Sequence, residues 1–583
     1  WKLVLLILLL CEGCGTTASE SVEHNVKIVG EPGKISEILH YYELINNAIL
    51  NQNQTGTGKD VRFEIGERLI QNAVHEEIDA TKLATMRRRI VELAQRQSQA
   101  EGDPSVSKSA PRKRSNEESI MQQELFNDEN LKNLREEVRE MFNFAFDKYM
   151  SHAYPYDELK PLSCSGKNIF GPRGYALTLL DALDTFMVLG NVTGFDWAVR
   201  LVLRDVTFDV DANVSVFETN IRALGGLLSA HYMAEEALPW YRDELLALAM
   251  DLGRRLLPAF NTETGIPYGT VNLRHGVPPE ETPVASTAGG GTNMLEFAAL
   301  SRATGDPAYE EAARKATVAI WEKRSALNLV GNHINIKTGA WTHQDAGLGT
   351  NIDSFYEYLI KAHLLIDDEA FLRMFWVSYQ SIMQHLRRGS WYMDANMHTG
   401  AVGWAVYSSL ASFWPGVQAM VGDIESATES MYSIHSLWRK FGGIPEGFNL
   451  ETGALHQGAE GYPLRPETVE SVYYLHLATG DPIWVSMGID ALTSLQSVCR
   501  VPCGYAASKN VQTRQLEDRM DSYFLAETVK YLYLLFDPAN PYRRGRHVFN
   551  TEGHPLPVRP SLSKPYAQRA SAGRATPPPP PPR

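Results

Sequence analysis

LEFAALSRATGDPAYEEAARKA (residues 295 to 316) and ESVYYLHLATGDPIWVSMGIDA (residues 470 to 491) share one plan. Each has a stretch of large apolar side chains, the turn ATGDP, and a second stretch of apolar residues at helical spacing. Apolar stretches at helical period, punctuated by the Gly, Asp and Pro of the turn, predict a helical hairpin in each. YALTLLDALDTFMVLGNVTGFDWAV (175 to 199) and SFYEYLIKAHLLIDDEAFLRMF (354 to 375) are looser versions of the same hairpin. Hairpins repeated at intervals of tens of residues predict a solenoid or, if it closes, a toroid of inner and outer helices. Strand-like alternation is rare, which argues against an α/β hydrolase or a TIM barrel.

The helical region is expected over residues 131 to 558. Lys2 and the apolar run LVLLILLL, followed by small residues, predict a secretory signal over residues 1 to 18. The run is too short to span a bilayer, which needs about 20 apolar residues, so no transmembrane segment is expected once the signal is removed. Residues 19 to 130 are polar and mixed, and are expected to be a partly disordered extension with one amphipathic helix over 81 to 97. Residues 559 to 583 end in a proline run and are expected to be a disordered tail.

The 583 residues carry 55 Lys plus Arg against 69 Asp plus Glu, a formal charge of -14. That sign repels phosphate backbones, so nucleic acid is not an expected partner. Sequons at Asn53, Asn191 and Asn213 agree with a secretory route. Removal of the signal takes Cys11 and Cys14 and leaves Cys164, Cys499 and Cys503, enough for one disulfide and one free thiol. Cys499 and Cys503 have no second Cys/His pair nearby, which argues against structural zinc.

Several acids interrupt strongly apolar context at or near helix starts: Glu218, Asp353, Glu357, Glu467, Glu470 and Glu527. One such acid is ordinarily a cap or a charge favoured by the helix dipole. Four such helices are another matter, because a toroid brings the starts of its inner helices to one rim. Carboxylates gathered there can supply a proton donor and a water-activating base, or oxygen ligands for a hard cation. Arg222 and Arg465 stand close to these acids in sequence and can hold them ionised. HVFNTEGHP (547 to 555) places Thr551 between an amide and a carboxylate.

Seven stretches, in order, carry a resemblance: AFDKYMSHAYPYDELKPLSCSG (145 to 166), LTLLDALDTFMVLGN (177 to 191), VSVFETNIRALGGLLSAH (214 to 231), DSFYEYLIKA (353 to 362), GYPLRPETVES (461 to 471), DRMDSYFLAETVKYLYLLF (518 to 536) and FNTEGHP (549 to 555). Together they closely resemble glycoside hydrolase family 47, the class I α-1,2-mannosidases, and within it the ER degradation-enhancing α-mannosidase-like branch. The resemblance implies an all-α (α/α)7 barrel with its active site in the cavity. It also implies a bound Ca2+ and inverting hydrolysis of terminal α-1,2-mannose from high-mannose N-glycans.

By motif, Glu218 resembles the general acid, Glu467 the general base, and Asp353 the third essential acid, for which the family also admits a base role. Thr551 resembles the direct calcium ligand, and Glu470, Glu527 and Glu552 the acids that hold its waters. Arg222 and Arg465 resemble sugar-contacting cations and Tyr523 the aromatic platform beneath mannose. The branch further implies a Cys164–Cys503 disulfide, leaving Cys499 free, a protein disulfide isomerase-type oxidoreductase as partner, and misfolded glycoproteins in the endoplasmic reticulum lumen as targets. Alternatives from other classes are a non-enzymatic mannose-binding receptor and a Golgi-type processing mannosidase. The chain departs from the usual pattern at Gly553, at Thr350 and Asn351 before Asp353, and at Ser286.

Overall fold

The computed structural model describes residues 128–171 and 173–558. The expected signal, extension, helix over 81 to 97, Asn53 and proline-rich tail lie outside them, apart from residues 128 to 130. The first described helix is Asp128–His152.

Seven inner helical segments follow one another: Leu177–Asp181 with Leu183–Val188, Gly225–Ala237, Met294–Thr304, Asp353–Ile366, Trp414–Met420, Glu467–Thr479 and Val529–Phe536. Seven outer helices alternate with them: Asp128–His152, Val192–Asp205, Glu244–Leu256, Ala308–Glu322, Glu369–His385, Ile424–Phe441 and Pro482–Ser494. The two sets differ in burial because they have different neighbours. Every residue of Val529–Phe536 is buried, as is the run from Ser354 to Ala362. Glu244–Leu256 instead buries one stripe, Leu245, Leu246, Ala249, Leu252, Gly253 and Leu256, as a helix with one wet face must.

All four predicted hairpins form. Gly305 and Gly480 take φ of 78° and 66° as left-handed caps, and Asp367 does the same at 59°. The last inner helix closes the ring by packing on both Asp128–His152 and Leu183–Val188. Polar contacts reinforce the closure: Thr185 Oγ1 donates to the Leu525 carbonyl at 3.0 Å and Asn540 Nδ2 to the Val188 carbonyl at 2.9 Å. The architecture is the expected (α/α)7 barrel. No helix among the described residues is long and apolar enough to cross a membrane.

Short antiparallel strands in two- and three-stranded sheets join many of the helices, more strand than the alternation pattern led one to expect. Their turns repeat a local code. Asn272, Asn335, Asn396 and Asn449 each accept, through the side-chain oxygen, the N–H groups two and three residues on. Each also accepts, through the backbone carbonyl, the N–H of a glycine four residues on: Gly276, Gly339, Gly400 and Gly453. Those glycines take φ of 82°, 70°, 69° and 66°, a conformation that glycine adopts without the steric cost a Cβ brings.

Cys164 and Cys503 form a disulfide across a sequence separation of 339, and Cys499 is free and buried, as the resemblance implied. Cys503→Ser should lower stability by about 2–5 kcal/mol, toward the low end because the packing of the first outer helix on the last inner one already restrains the ring. Thermal unfolding of the variant beside the oxidised parent checks this, and an unchanged Tm would contradict it.

Candidate active site

Ser215 caps the segment that carries Glu218, its hydroxyl accepting from the Glu218 N–H at 3.2 Å. The chain then passes through a π-helical turn, Thr219–Leu224, a local irregularity frequent at functional sites. Four residues on, Arg222 turns back onto Glu218 with Nε to Oε2 at 2.8 Å. Its Nη1 donates to Ser522 Oγ at 2.9 Å and lies 3.3 Å from Glu552 Oε1.

Asp353 opens an inner helix, accepting the Ser354 N–H at 2.8 Å while its own N–H is held by the Gly349 carbonyl. Burial, with Glu357 adding to it, pushes the Asp353 carboxyl up to about 7, against the pull of Arg465. Glu467 opens another inner helix, and burial pushes it up to about 8 although Arg465 Nη1 stands 3.8 Å away. Arg465 is itself gripped by Glu446, with Nη2 to Oε2 at 2.8 Å, and Glu446 accepts from Ser409 Oγ at 2.8 Å.

Tyr523 stands between the two arginines. The Arg222 and Arg465 guanidiniums lie 5.3 Å and 5.8 Å from its ring centroid. Its hydroxyl is 2.8 Å from the Pro463 carbonyl and 2.7 Å from Asp521 Oδ2. The hydroxyl end of the ring is therefore fixed, and 5% of the residue's surface is exposed. Glu218 and Glu467, from helices almost 250 residues apart in sequence, are linked through Arg222, Tyr523 and Arg465.

A hairpin supplies the floor. Strands His547–Phe549 and Pro555–Pro557 flank the turn Asn550 to His554. Asn550 accepts from the Glu552 and His554 N–H groups and donates to the Ile221 carbonyl and to Glu296 Oε1. Thr551 N–H donates to the Tyr358 hydroxyl at 3.3 Å, Lys530 Nζ donates to the Gly553 carbonyl at 2.6 Å, and His554 Nδ1 meets Asp184 Oδ2 at 2.7 Å. The turn thus touches five different inner helical segments, as only a plug on the barrel axis can. Gly553 takes φ of 71°, and its position would place a Cβ 3.1 Å from Glu527 Cγ.

Around Thr551 the carboxylates outnumber the cations. Burial holds Glu527 and Glu552 well above the usual carboxylate range, with Glu552 adding to it for Glu527, and Asp181 and Glu218 adding to it for Glu552. Burial lifts Glu470 to about 7 despite Lys361, which lies 3.5 Å from it and is also paired with Glu357. Glu552 Oε1 is buried without a hydrogen bond, Arg222 approaching it only as an ion pair. Buried acceptor oxygens lacking donors are the chemistry of a hard, oxygen-seeking cation, and the residues present fit calcium.

Other members of the site escaped the sequence reading. Glu446 and Ser409 orient Arg465, Lys361 spans Glu357 and Glu470, and Asp181, Asp184, Lys530 and His554 form a fully buried charge cluster behind the plug. A usable signal was present: Asp181, Asp184, Lys361 and Lys530 lie within apolar helices, where a charge is retained only if paired.

Residues 141–558 match glycosyl hydrolase family 47. The chain belongs to this family. It is 50% identical over 446 residues to "Alpha-mannosidase I MNS4" of Arabidopsis thaliana, covering 74% of this chain and 71% of that protein. It is 46% identical over 447 residues to "ER degradation-enhancing alpha-mannosidase-like protein 2" of Homo sapiens, covering 72% and 77%. Among solved structures, an α-1,2-mannosidase from Trichoderma reesei superposes with a TM-score of 0.67 at 26% identity, over 73% of this chain and 99% of that one. The family 47 match spans all the acids described above.

Proposed function

We propose that this chain is a calcium-dependent, inverting α-1,2-mannosidase that trims high-mannose N-glycans on misfolded glycoproteins in the endoplasmic reticulum lumen and directs them to degradation. The observation that carries this reading is the pair Glu218 and Glu467, each held by its own arginine against Tyr523, above a donor-poor cluster of carboxylates at Thr551. The name of the Homo sapiens relative supports the compartment and the link to degradation.

Glu218 protonates the glycosidic oxygen as the bond to the leaving sugar breaks. Glu467 takes a proton from the water that attacks the opposite face, with Asp353 as the second candidate for that role. Arg222 and Arg465 donate to sugar hydroxyls, and the edge of Tyr523 that remains open meets the ring. Thr551 would hold calcium directly and Glu470, Glu527 and Glu552 would hold it through water; the bound ion supplies oxygen coordination that fixes hydroxyls and water in place. The Cys164–Cys503 disulfide is the bond on which a protein disulfide isomerase-type partner would act.

The test is incubation of the purified chain with a defined high-mannose N-glycan and Ca2+, followed by linkage-resolved analysis. Loss of terminal α-1,2-mannose, released first as the β-anomer, is expected. A mannose-binding receptor would retain the glycan intact, and a retained α-anomer would overturn the inverting mechanism.

A further inference from the structure

Beside the catalytic rim lies a three-stranded sheet whose strands run, across the sheet, Val402–Trp404, Asp394–Asn396 and Asp345–Ala346. Every residue of Val402–Trp404 is exposed, and Trp404, at 61%, is the most exposed large hydrophobic side chain among the described residues. The indole is thus left in water on a hydrogen-bonded strand, next to a β-bulge in its pairing.

The residue directly across from Trp404 is Asp394, and directly opposed residues of an antiparallel pair project from the same face. Asp394 is half-buried, and burial together with neighbouring Asp345 pushes its carboxyl up to about 6. Among the described residues no hydrogen-bond donor or cation meets either carboxylate. The Gly347 backbone packs directly against the Asp394 carboxylate, and Gly403 lies beside Asp345. A Cβ on Gly347 would fall 2.0 Å from Asp394 Oδ1, and one on Gly403 would fall 3.7 Å from Asp345 Oδ1.

Both exits of the sheet lead to the proposed catalytic acids. From Asp345–Ala346 the chain runs through Gly349, whose carbonyl holds the Asp353 N–H. From Trp404 it runs to Ser408, which lies against Gly349, and to Ser409, which hydrogen-bonds Glu446, the clamp on Arg465. Four residues of extended chain span at most about 14 Å, so Trp404 stands within that distance of Ser408.

We propose that Trp404, Asp394 and Asp345 form a second sugar subsite that binds another mannose ring of the same N-glycan while its terminal mannose occupies the cavity. The occupant follows from the chemistry. An indole face packs on the apolar face of a pyranose, acceptor-only carboxylates take hydrogen bonds from vicinal hydroxyls, and two negative charges repel phosphate or an acidic peptide. The position beside the rim places the subsite along a branched glycan that enters the cavity. The inference rests on the proposed function and adds a determinant that favours large glycans over small fragments.

The test measures binding by calorimetry to full-length Glu218→Gln protein, with and without a second change, using a released high-mannose N-glycan and α-1,2-linked mannobiose as probes. Trp404→Ala should weaken the N-glycan about two- to tenfold, the worth of one stacking contact, and leave mannobiose unchanged. Trp404→Tyr should restore most of the loss, and Asp394→Asn should weaken the N-glycan selectively. Equal weakening of both sugars, no weakening of either, or no sugar binding at all would overturn the subsite. Mannose release by the unsubstituted chain is scored separately, so failure of the enzyme reading with selective N-glycan binding intact is distinguishable from failure of the subsite.

Discussion

Glu218→Gln should reduce mannose release by about 10²- to 10⁴-fold, the usual contribution of a positioned general acid, with little change in Tm. The amide matches the carboxyl in size and keeps an oxygen facing Arg222, but it has no acidic proton to transfer. Arg222 is not left unpaired, because Ser522 and Glu552 still hold it. Rate and stability therefore separate in this variant. Glu467→Gln should show a comparable loss, with substrate binding retained. A Glu218→Gln protein that releases mannose at the parental rate would remove Glu218 from the acid role.

Chelation should abolish activity and also expose a pH dependence of stability that the calcium-loaded protein lacks. Burial raises Asp353 to about 7 and Glu467 to about 8 in the folded chain, whereas an unfolded chain returns them to about 3.9 and about 4.3. Between these limits the folded state binds more protons than the unfolded one, so stability is greatest at the acidic end and is lost as pH rises toward 8. Glu470, lifted to about 7, and Glu527 and Glu552, held well above the usual range, act in the same direction, and a divalent cation beside them takes over the role of their protons. In a chelator, Tm should fall steadily from pH 5 to pH 8, and Ca2+ should raise it far more at pH 8 than at pH 5. Mg2+ should restore less, since it demands a tighter octahedral shell. Scanning calorimetry at the two pH values decides the matter, and a chelated Tm that is flat or rises with pH would contradict the excess of buried carboxylate.

Much of the helical frame was legible because its signals are local. The ATGDP turns announce a left-handed glycine cap followed by a new helix, and both Gly305 and Gly480 adopt it. The short strands were missed because strands of two to four residues are too brief for alternation to register. The recurring Asn with Gly four residues later, as in Asn335 to Gly339 and Asn396 to Gly400, was the better signal, since it encodes a turn rather than a strand. Acids at helix starts were conspicuous in sequence. Their restraints, such as Glu446 on Arg465 or Lys361 between Glu357 and Glu470, were not, because each joins helices that only the closed ring makes neighbours.

By itself the sequence determined which segments are helical, where they turn, which acids stand at their starts and, through its motifs, the family 47 assignment. These are matters of side-chain size, backbone preference and order along the chain. Only the tertiary structure decided that Arg222 and Arg465 converge on Tyr523, that the Thr551 turn plugs the axis, and that Trp404 faces water beside two unpaired carboxylates. Those relations depend on closure of the ring, and burial and charge pairing are properties of neighbours in space rather than in sequence.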